Sequence, residues 1–226
     1  EAVRLAAHYM TPVVLLTDGF LANASEPWLV PDLGKLAPFP VTLGADPEGF
    51  APYARNPETL ARAWVPAGTP DLRHRIGGIE RADKTGEISY DPTNHQVMTD
   101  HRRAKIDGIA QDIPDQGLIA GESDGDVLIL GWGSTYGAIE SAVDRLLDAG
   151  HKVAHAQVRH IWPLPANLPA LLDRYRHVLV PELNAGQFAF VLQGALGREV
   201  ASLTKVTGKP FTAAEIESRV LELLEG

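Results

Sequence analysis

DVLILGWGSTYGAIESAVDRLLDAG, residues 126–150, predicts a strand, a tight turn and a helix in direct succession. The run 127–130 is wholly apolar, which is typical of a parallel strand that helices cover on both faces. The next five residues supply a sharp turn, where Ser134 or Thr135 is expected to cap the helix by accepting a hydrogen bond from a free backbone N–H. Apolar residues then recur at helical spacing up to Gly150. This stretch predicts the first unit of an α/β domain.

The residues that follow repeat the alternation of strands and helices. Strands are predicted at 153–158, 177–181 and 200–204, and helices at 167–175, 187–196 and 213–224. Such alternation predicts an α/β fold with a mainly parallel sheet covered by helices and with right-handed crossovers. The last helix is expected to begin with a capping box, in which Thr212 and Glu215 each accept a hydrogen bond from the other's backbone.

Before residue 126 the chain is less regular. Residues 1–10 have the pattern of the last turns of a helix, and residues 13–16 form an apolar run typical of a buried strand. Such a strand needs neighbours, and no comparable run precedes residue 126. Since the chain also begins without methionine, we expect the neighbouring strands in an upstream part of a longer protein or in a partner.

Residues 25–123 are rich in proline and glycine, and only 58–64 and 93–109 have a helical pattern. A connection this long is rarely a free linker, because most connections in compact domains have about 4–6 residues. The segment 31–53 also keeps more apolar residues than a solvated tether would carry. We therefore interpret this part as an extended crossover that lies along a partner subunit.

The composition excludes several kinds of function. With 45% hydrophobic residues among 226, the chain is able to form a core. A formal charge of −9 and the lack of a dense basic cluster argue against nucleic acid as a partner. The sequence has no cysteine, so disulfides and cysteine-ligated zinc or iron–sulfur sites are excluded for this chain. It also has neither a membrane-spanning apolar run nor a signal peptide, so we expect a cytoplasmic protein without a membrane partner.

The glycines of the first turn invite comparison with nucleotide-binding proteins. Gly131, Gly133 and Gly137 lie at the start of a helix, where free N–H groups hold a pyrophosphate in dinucleotide-binding folds. Their spacing is G-x-G-x-x-x-G rather than G-x-G-x-x-G, and the next strand does not end in an acidic residue. Three interpretations remain open: a purely structural turn, an anion contact by Ser134 or Thr135, and a bound nucleotide.

Two further polar loops are candidate sites because they follow predicted strands, where the ligands of open α/β sheets bind. Glu182, Asn184 and Gln187 are candidates to order a substrate or a facing subunit. The alternative is that Glu182 and Asn184 bind the backbone of their own loop and cap the next helix. Asp18 and Asn23 follow the apolar run near the start of the chain and are further candidates.

Four motifs stand out: LLTDGFLANASEPW (15–28), VLILGWGSTYGAIESAV (127–143), VRHIWPLP (158–165) and VPELNAGQ (180–187). In their order and separation they resemble the α subunit of 2-oxoacid:ferredoxin oxidoreductases, especially the 2-oxoglutarate type. IWPLP within the third motif is also similar to a segment of the transketolase C-terminal domain.

The resemblance implies three parts of the chain. Residues 1–30 correspond to the tail of a pyrimidine-binding-type domain for thiamine diphosphate. Residues 31–122 are the crossover, and residues 123–226 are a transketolase C-terminal-like α/β domain.

The resemblance also implies a heteromeric enzyme that uses thiamine diphosphate, Mg²⁺, iron–sulfur clusters and coenzyme A. Such an enzyme decarboxylates 2-oxoglutarate oxidatively to succinyl-CoA and passes the electrons to ferredoxin. In this family the diphosphate, the metal and the cluster belong largely to the β subunit. The implied partners are therefore a β subunit, a second αβ unit and, through the β subunit, ferredoxin.

The catalytic motifs of the family have no counterpart in this sequence. The activating glutamate and the YPITP-type and RGGPSTG-type substrate motifs lie before the position that matches Glu1. We therefore assign no catalytic residue and no metal ligand, and expect the chain to be inactive alone. Two interpretations from other classes remain: a non-catalytic module for subunit docking, and a nucleotide-binding regulatory domain.

Overall fold

A computed structural model describes residues 1–36, 41, 43–44 and 46–226. They form two units, one of residues 1–15 with 26–112 and the other of residues 16–25 with 113–226. The helices are α1 Ala2–Tyr9, α2 Gly19–Asn23, α3 Pro92–Ile109, α4 Tyr136–Asp148, α5 Leu168–Leu172, α6 Gln187–Leu196 and α7 Ala213–Glu225. The strands are β1 Ala120–Gly121, β2 Gly125–Trp132, β3 Val153–Val158, β4 Tyr175–Glu182 and β5 Ala201–Thr204.

The second unit is built on a five-stranded sheet in the order β1-β3-β2-β4-β5. β2 pairs in parallel with β3 and with β4, and β4 pairs in parallel with β5. This confirms the predicted α/β class with a mainly parallel sheet. β1 pairs antiparallel with β3, and beside it Ile119 N donates to the His155 carbonyl at 2.7 Å. This strand was not predicted, because two residues are too few to show an alternation of apolar and polar side chains.

The strand order explains why helices cover both faces of the sheet. The chain passes from β2 to β3 on one side, then crosses β2 to reach β4 and β5 on the other side. Because crossovers keep one hand, this reversal places α4 and α5 on opposite faces. One face is packed by Val127, Ile129, Ile139, Val143, Ile216 and Val220, and the other by Leu128, Leu130, Leu168, Leu172, Phe188 and Leu192. Burial of each such side chain contributes about 1.5–3 kcal/mol.

The described residues of the first unit form α1, α3 and short bridged turns rather than a sheet. The predicted helix at 93–109 is confirmed as α3, whose first turn is capped because Asp91 accepts a hydrogen bond from Thr93 N at 2.9 Å. Arg4 forms an ion pair with Asp112 at 2.8 Å. The predicted crossover also includes residues 37–40, 42 and 45, which lie outside the described residues.

Two predictions for the region before residue 126 have different outcomes. No strand pairs with residues 13–16 in the part of the chain that the structure describes, and Val14 is 79% exposed, so a strand with neighbours outside this chain stays a prediction. An apolar run becomes a strand only where a neighbour satisfies its backbone groups. Residues 58–64 are not a helix, because Asn56 accepts hydrogen bonds from Glu58 N and Thr59 N, and Leu60 has a left-handed φ of 53°.

Within the second unit the predicted bounds differ by a few residues. The predicted helix at 167–175 is confirmed only as the shorter α5. It stops early because Tyr175 already belongs to β4, where it pairs with Gly125 and its side chain is buried. The three-part division at residues 30 and 122 stays a prediction.

The capping box of α7 is confirmed, since Glu215 accepts from Thr212 N at 2.7 Å and Thr212 Oγ1 accepts from Glu215 N at 3.3 Å.

Thr212→Ala removes one of these bonds and is expected to lower the free energy of unfolding by about 1 kcal/mol. Urea denaturation followed by circular dichroism measures the change. Thr207→Ala, at an exposed threonine outside the helix, is the matched control, and equal effects of the two changes would contradict this role.

Candidate functional site

The candidate site lies at the carboxyl ends of the parallel strands. β3 lies on one side of β2, and the strands that follow it in the chain, β4 and β5, lie on the other side. The order of the strands therefore reverses beside β2. Ligands of open α/β sheets bind in the crevice outside the carboxyl ends of strands at such a reversal. The loops that follow β2 and β4 hold most of the predicted site residues, and we call this region the carboxyl edge.

The turn after β2 is held by its own side chains. Thr135 Oγ1 donates to the Trp132 carbonyl at 2.8 Å and accepts from Trp132 N at 3.3 Å. The prediction that Ser134 or Thr135 caps the helix through its side chain is therefore wrong, because the Thr135 hydroxyl is used to close the turn. Gly133 has a φ of 59°, and a Cβ at Gly131 would overlap Gln157 and Ile139. The left-handed backbone of Gly133 thus favours glycine in the turn, whereas Gly131 lies in β2 and only approaches the ends of two flexible side chains.

Asp18 joins this turn through a hydrogen bond within the same unit. Its Oδ2 accepts from Ser134 N at 3.0 Å, and its Oδ1 accepts from Leu21 N at 3.0 Å. Burial alone raises the pKa of Asp18, but the hydrogen bonds from Ser134, Leu21 and Phe20 outweigh it and lower the pKa. Asn23 does not take part, since its side chain donates to the Gly19 carbonyl within α2 at 2.7 Å.

The hydrogen bond between Asp18 and Ser134 helps to choose among the three interpretations of the glycine turn. A phosphate at this position would need the N–H of Ser134, which already binds the carboxylate of Asp18. A second anion would also meet the negative charge of that carboxylate at close range. The geometry favours a structural turn whose anion contact is internal to the chain.

The loop after β4 is organised by the buried carboxylate of Glu182, which is 0% exposed. Its two oxygens accept hydrogen bonds from Phe188 N and Ala189 N, each at 2.9 Å, at the start of α6. Oε2 also accepts from Asn184 Nδ2 at 3.0 Å and from Trp132 Nε1 at 3.3 Å. Glu182 therefore caps α6 and links the loops after β2 and β4.

Asn184 and Gln187 complete the same loop. Asn184 Oδ1 accepts from Gly186 N at 2.7 Å and from Gln187 N at 3.3 Å. Gln187 Oε1 accepts from Ala185 N at 2.9 Å. The alternative in which Glu182 and Asn184 bind their own loop and cap the next helix is thus the one that the contacts confirm. A further role for these residues toward a substrate or a facing subunit stays a prediction.

Sequence analysis missed three residues of the carboxyl edge. Trp132 bridges to Glu182, and Gln157 donates to the Gly133 carbonyl at 3.0 Å. His155 is 0% exposed in β3, with its ring 5.3 Å from that of Tyr136. The sequence signal that could have indicated His155 and Gln157 is the presence of two polar residues at alternate positions of an otherwise apolar strand.

The described residues bring together no group of three or more histidine, aspartate or glutamate side chains that could hold a metal ion. The sequence has no cysteine, so this chain supplies no thiolate ligand for an iron–sulfur cluster. None of the described helices combines the length and the apolar character that a bilayer crossing requires.

The geometry defines a doubly wound α/β domain, and comparison with known proteins gives its class. Residues 125–218 match the family model for the pyruvate:ferredoxin oxidoreductase core domain II. The solved structure of 2-oxoglutarate:ferredoxin oxidoreductase from Magnetococcus marinus, with 2-oxoglutarate, coenzyme A and succinyl-CoA bound, is 28% identical and superposes with a TM-score of 0.90. That match covers 98% of this chain and 39% of that one.

Curated relatives give the same result over the whole chain. The 2-oxoglutarate oxidoreductase subunit KorA of Mycobacterium tuberculosis is 50% identical over 226 residues, which are 100% of this chain and 34% of that protein. The α subunit of 2-oxoacid:ferredoxin oxidoreductase 2 of Aeropyrum pernix is 29% identical over 100% of this chain and 36% of its own length. The chain thus spans about a third of these relatives.

These findings confirm the resemblance stated from the four motifs. Over its whole length the chain is similar to a portion of the α subunits of 2-oxoacid:ferredoxin oxidoreductases, and residues 125–218 match the family model of core domain II.

Replacement of Glu182 tests the organisation of the carboxyl edge. Glu182→Gln keeps the shape of the side chain but replaces one acceptor oxygen with an NH₂ group, which cannot accept a hydrogen bond from the backbone or indole donors. We therefore expect the free energy of unfolding to fall by about 2 kcal/mol. Hydrogen exchange at Phe188 and Ala189 is expected to accelerate as well. Glu199→Gln, at an exposed position, is the control and should change stability by less than about 0.5 kcal/mol. Unchanged exchange at the start of α6 would contradict the capping role.

Buried His155 predicts a pH dependence of stability. Burial lowers its pKa, an effect that the hydrogen bond to Gln157 and the charge of Glu140 only partly offset. Nε2 lies 3.3 Å from Gln157 Oε1, and Nδ1 has no hydrogen-bond partner in the described part of the chain. The folded state therefore binds a proton less readily than the unfolded state.

The stability that neutral His155 contributes is present above pH of about 6.5 and is lost as the pH falls below that value toward the folded-state pKa. His155→Leu should flatten the decline of the urea midpoint over this range. His151→Gln retains His155 and should keep the decline. If the His155 variant declines as steeply as the unsubstituted protein, the assignment is wrong.

Proposed function

We propose that the chain is part of the α subunit of a thiamine-diphosphate-dependent 2-oxoglutarate:ferredoxin oxidoreductase. The complete enzyme oxidatively decarboxylates 2-oxoglutarate to succinyl-CoA and reduces ferredoxin. The observation that carries this proposal is the 50% identity, over all 226 residues, to a subunit named for 2-oxoglutarate. The solved relative with 2-oxoglutarate, coenzyme A and succinyl-CoA supports the same substrate and product.

In this proposal other parts of the enzyme carry out the chemistry. The chain has no cysteine that could bind a cluster. As the resemblance implies, thiamine diphosphate, Mg²⁺ and the iron–sulfur cluster belong mainly to a β subunit, and ferredoxin is reached through it. The chain contributes a rigid α/β domain, the carboxyl edge as a surface for a neighbouring subunit, and no catalytic residue. The cytoplasmic location is part of this proposal.

Exposed apolar residues support the proposed assembly with a β subunit and a second αβ unit. Leu29 is 92% exposed and Val30 is 83% exposed, and Val14 and Leu15 are also largely open to solvent. Such runs on a free surface are unfavourable and mark interaction sites. They support the assignment of residues 1–30 as the tail of a second domain and of residues 31–122 as a crossover that lies along a partner.

The test is the reaction of the purified heteromer that contains this chain. Ferredoxin should be reduced when 2-oxoglutarate and coenzyme A are both added, and little reduced when either is omitted or when pyruvate replaces 2-oxoglutarate. Absorbance of ferredoxin follows the electrons, and mass spectrometry identifies succinyl-CoA. Reduction with pyruvate at an equal or higher kcat/KM would contradict the proposed substrate, and no reduction with any 2-oxoacid would contradict the proposed function.

A further inference from the structure

One lysine of the first unit, Lys105 in α3, lies in the fold without an anionic partner. Its side chain is half-buried, and its Nζ donates only a long hydrogen bond, at 3.5 Å, to the Met10 carbonyl. No carboxylate in the described part of the chain forms an ion pair with it. An ammonium group has three hydrogens to donate and is costly to bury unpaired. The site therefore suits a neutral amine better than an ammonium ion.

The charges that act on Lys105 come from two arginines, Arg55 and Arg62. Burial of the amine, together with these two guanidinium groups, lowers the pKa of Lys105 to about 8. At that pH half of the amine is neutral, whereas an ordinary lysine with a pKa of about 10.4 is almost wholly protonated. A lysine amine that is desolvated beside cations is an activated nucleophile.

The two arginines differ in how far their charge is compensated. Arg55 Nη1 donates to Asp83 at 2.7 Å, in an ion pair. The guanidinium of Arg62 lies instead over the Tyr53 ring, 4.7 Å from its centroid, and forms no ion pair with a carboxylate of the described residues. Arg62 thus keeps a positive charge available to an anion that forms at Lys105.

We propose that Lys105 is a CO₂-binding site, at which the amine adds CO₂ reversibly to form a carbamate that Arg62 and Arg55 stabilise. The inference rests on the proposed function, because the oxidative decarboxylation of 2-oxoglutarate releases CO₂. The lone pair of Nζ attacks the carbon of CO₂, so that a C–N bond forms and one C=O π bond opens to a carboxylate oxygen. The nitrogen then loses one proton to solvent. No electron is transferred and no further reactant is needed.

Carbamate formation explains why a half-buried lysine lies among arginines. It replaces a cation with an anion, so repulsion between Lys105 and Arg62 becomes attraction. CO₂ is small enough to reach a half-buried amine, whereas an acyl thioester that could modify the same nitrogen is far larger. The CO₂ concentration then sets the charge of a cluster that links α3 to residues 55–62.

Chemical trapping on the purified heteromer tests the proposal without turnover. The heteromer is equilibrated with isotopically labelled CO₂ and bicarbonate, and triethyloxonium then converts any carbamate to a stable ethyl carbamate that mass spectrometry locates. We expect at least about tenfold more label on Lys105 than on the exposed lysines Lys84, Lys152 and Lys209, because their amines stay protonated. Label on Lys105 that is no higher than on these three would overturn the proposal.

Variants of Arg62 test whether the cluster holds the carbamate. Arg62→Gln removes the uncompensated positive charge and should lower the label on Lys105 about tenfold, whereas Arg62→Lys keeps the charge and should retain most of it. The matched control Arg103→Gln removes an exposed cation from the same helix and should leave the label within about twofold. Unchanged label in Arg62→Gln would overturn the proposal, as would equal loss in both Arg62 variants with an unchanged circular dichroism spectrum.

Succinyl-CoA separates the proposed site from a lysine that is merely reactive. Succinylation of Lys105 by added succinyl-CoA, without trapped carbamate, would overturn the proposal. If the carbamate forms but no 2-oxoacid reduces ferredoxin, the CO₂ site stands and the proposed function fails. Reduction of ferredoxin by 2-oxoglutarate without any carbamate on Lys105 overturns the site and leaves the proposed function intact.

Discussion

The carboxylate of Glu182 is the interaction on which the carboxyl edge depends. A fully buried charge is tolerated only when donors surround it, and here two backbone amides, an indole and a side-chain amide do so. The charge also lies at the N-terminal end of α6, where the helix dipole favours a negative group. One side chain thereby joins the ends of β2 and β4 to the first turn of α6. The loops at this edge are fixed by a network within the protein rather than by a ligand.

A carboxylate also accepts a backbone hydrogen bond at the turn after β2, where Asp18 supplies the negative charge. In nucleotide-binding domains the N–H groups of such a turn receive a phosphate. In this chain the carboxylate of Asp18 accepts a hydrogen bond from one of these N–H groups, so the glycine-rich turn is held without a nucleotide. In the first unit the buried guanidinium of Arg81 forms no ion pair with a carboxylate of the described residues and donates instead to the Gly77 carbonyl.

Sequence patterns predicted the second unit well because its signals are local. Val127 to Leu130 are apolar on both faces, and the Thr212–Glu215 capping box is contained within four residues. The pairing of Asp18 with Ser134, across 116 positions, could not be predicted, because nothing in either residue specifies the other. The run at 13–16 stays a prediction for the complementary reason: its composition fits a strand, but a strand also needs a partner, and no described strand pairs with it. The two-residue β1 was too short to give any pattern.

β1 nevertheless has a structural consequence. An open parallel sheet normally leaves a row of unpaired backbone groups along each outer strand. At β3 the two residues of β1 and the amide of Ile119 occupy part of that row, and a side chain at Gly121 would collide with Val153 and Ala154. At these positions the edge of β3 is thereby closed against strand addition. Contacts with another chain at these positions then use side-chain surfaces rather than the backbone groups of β3.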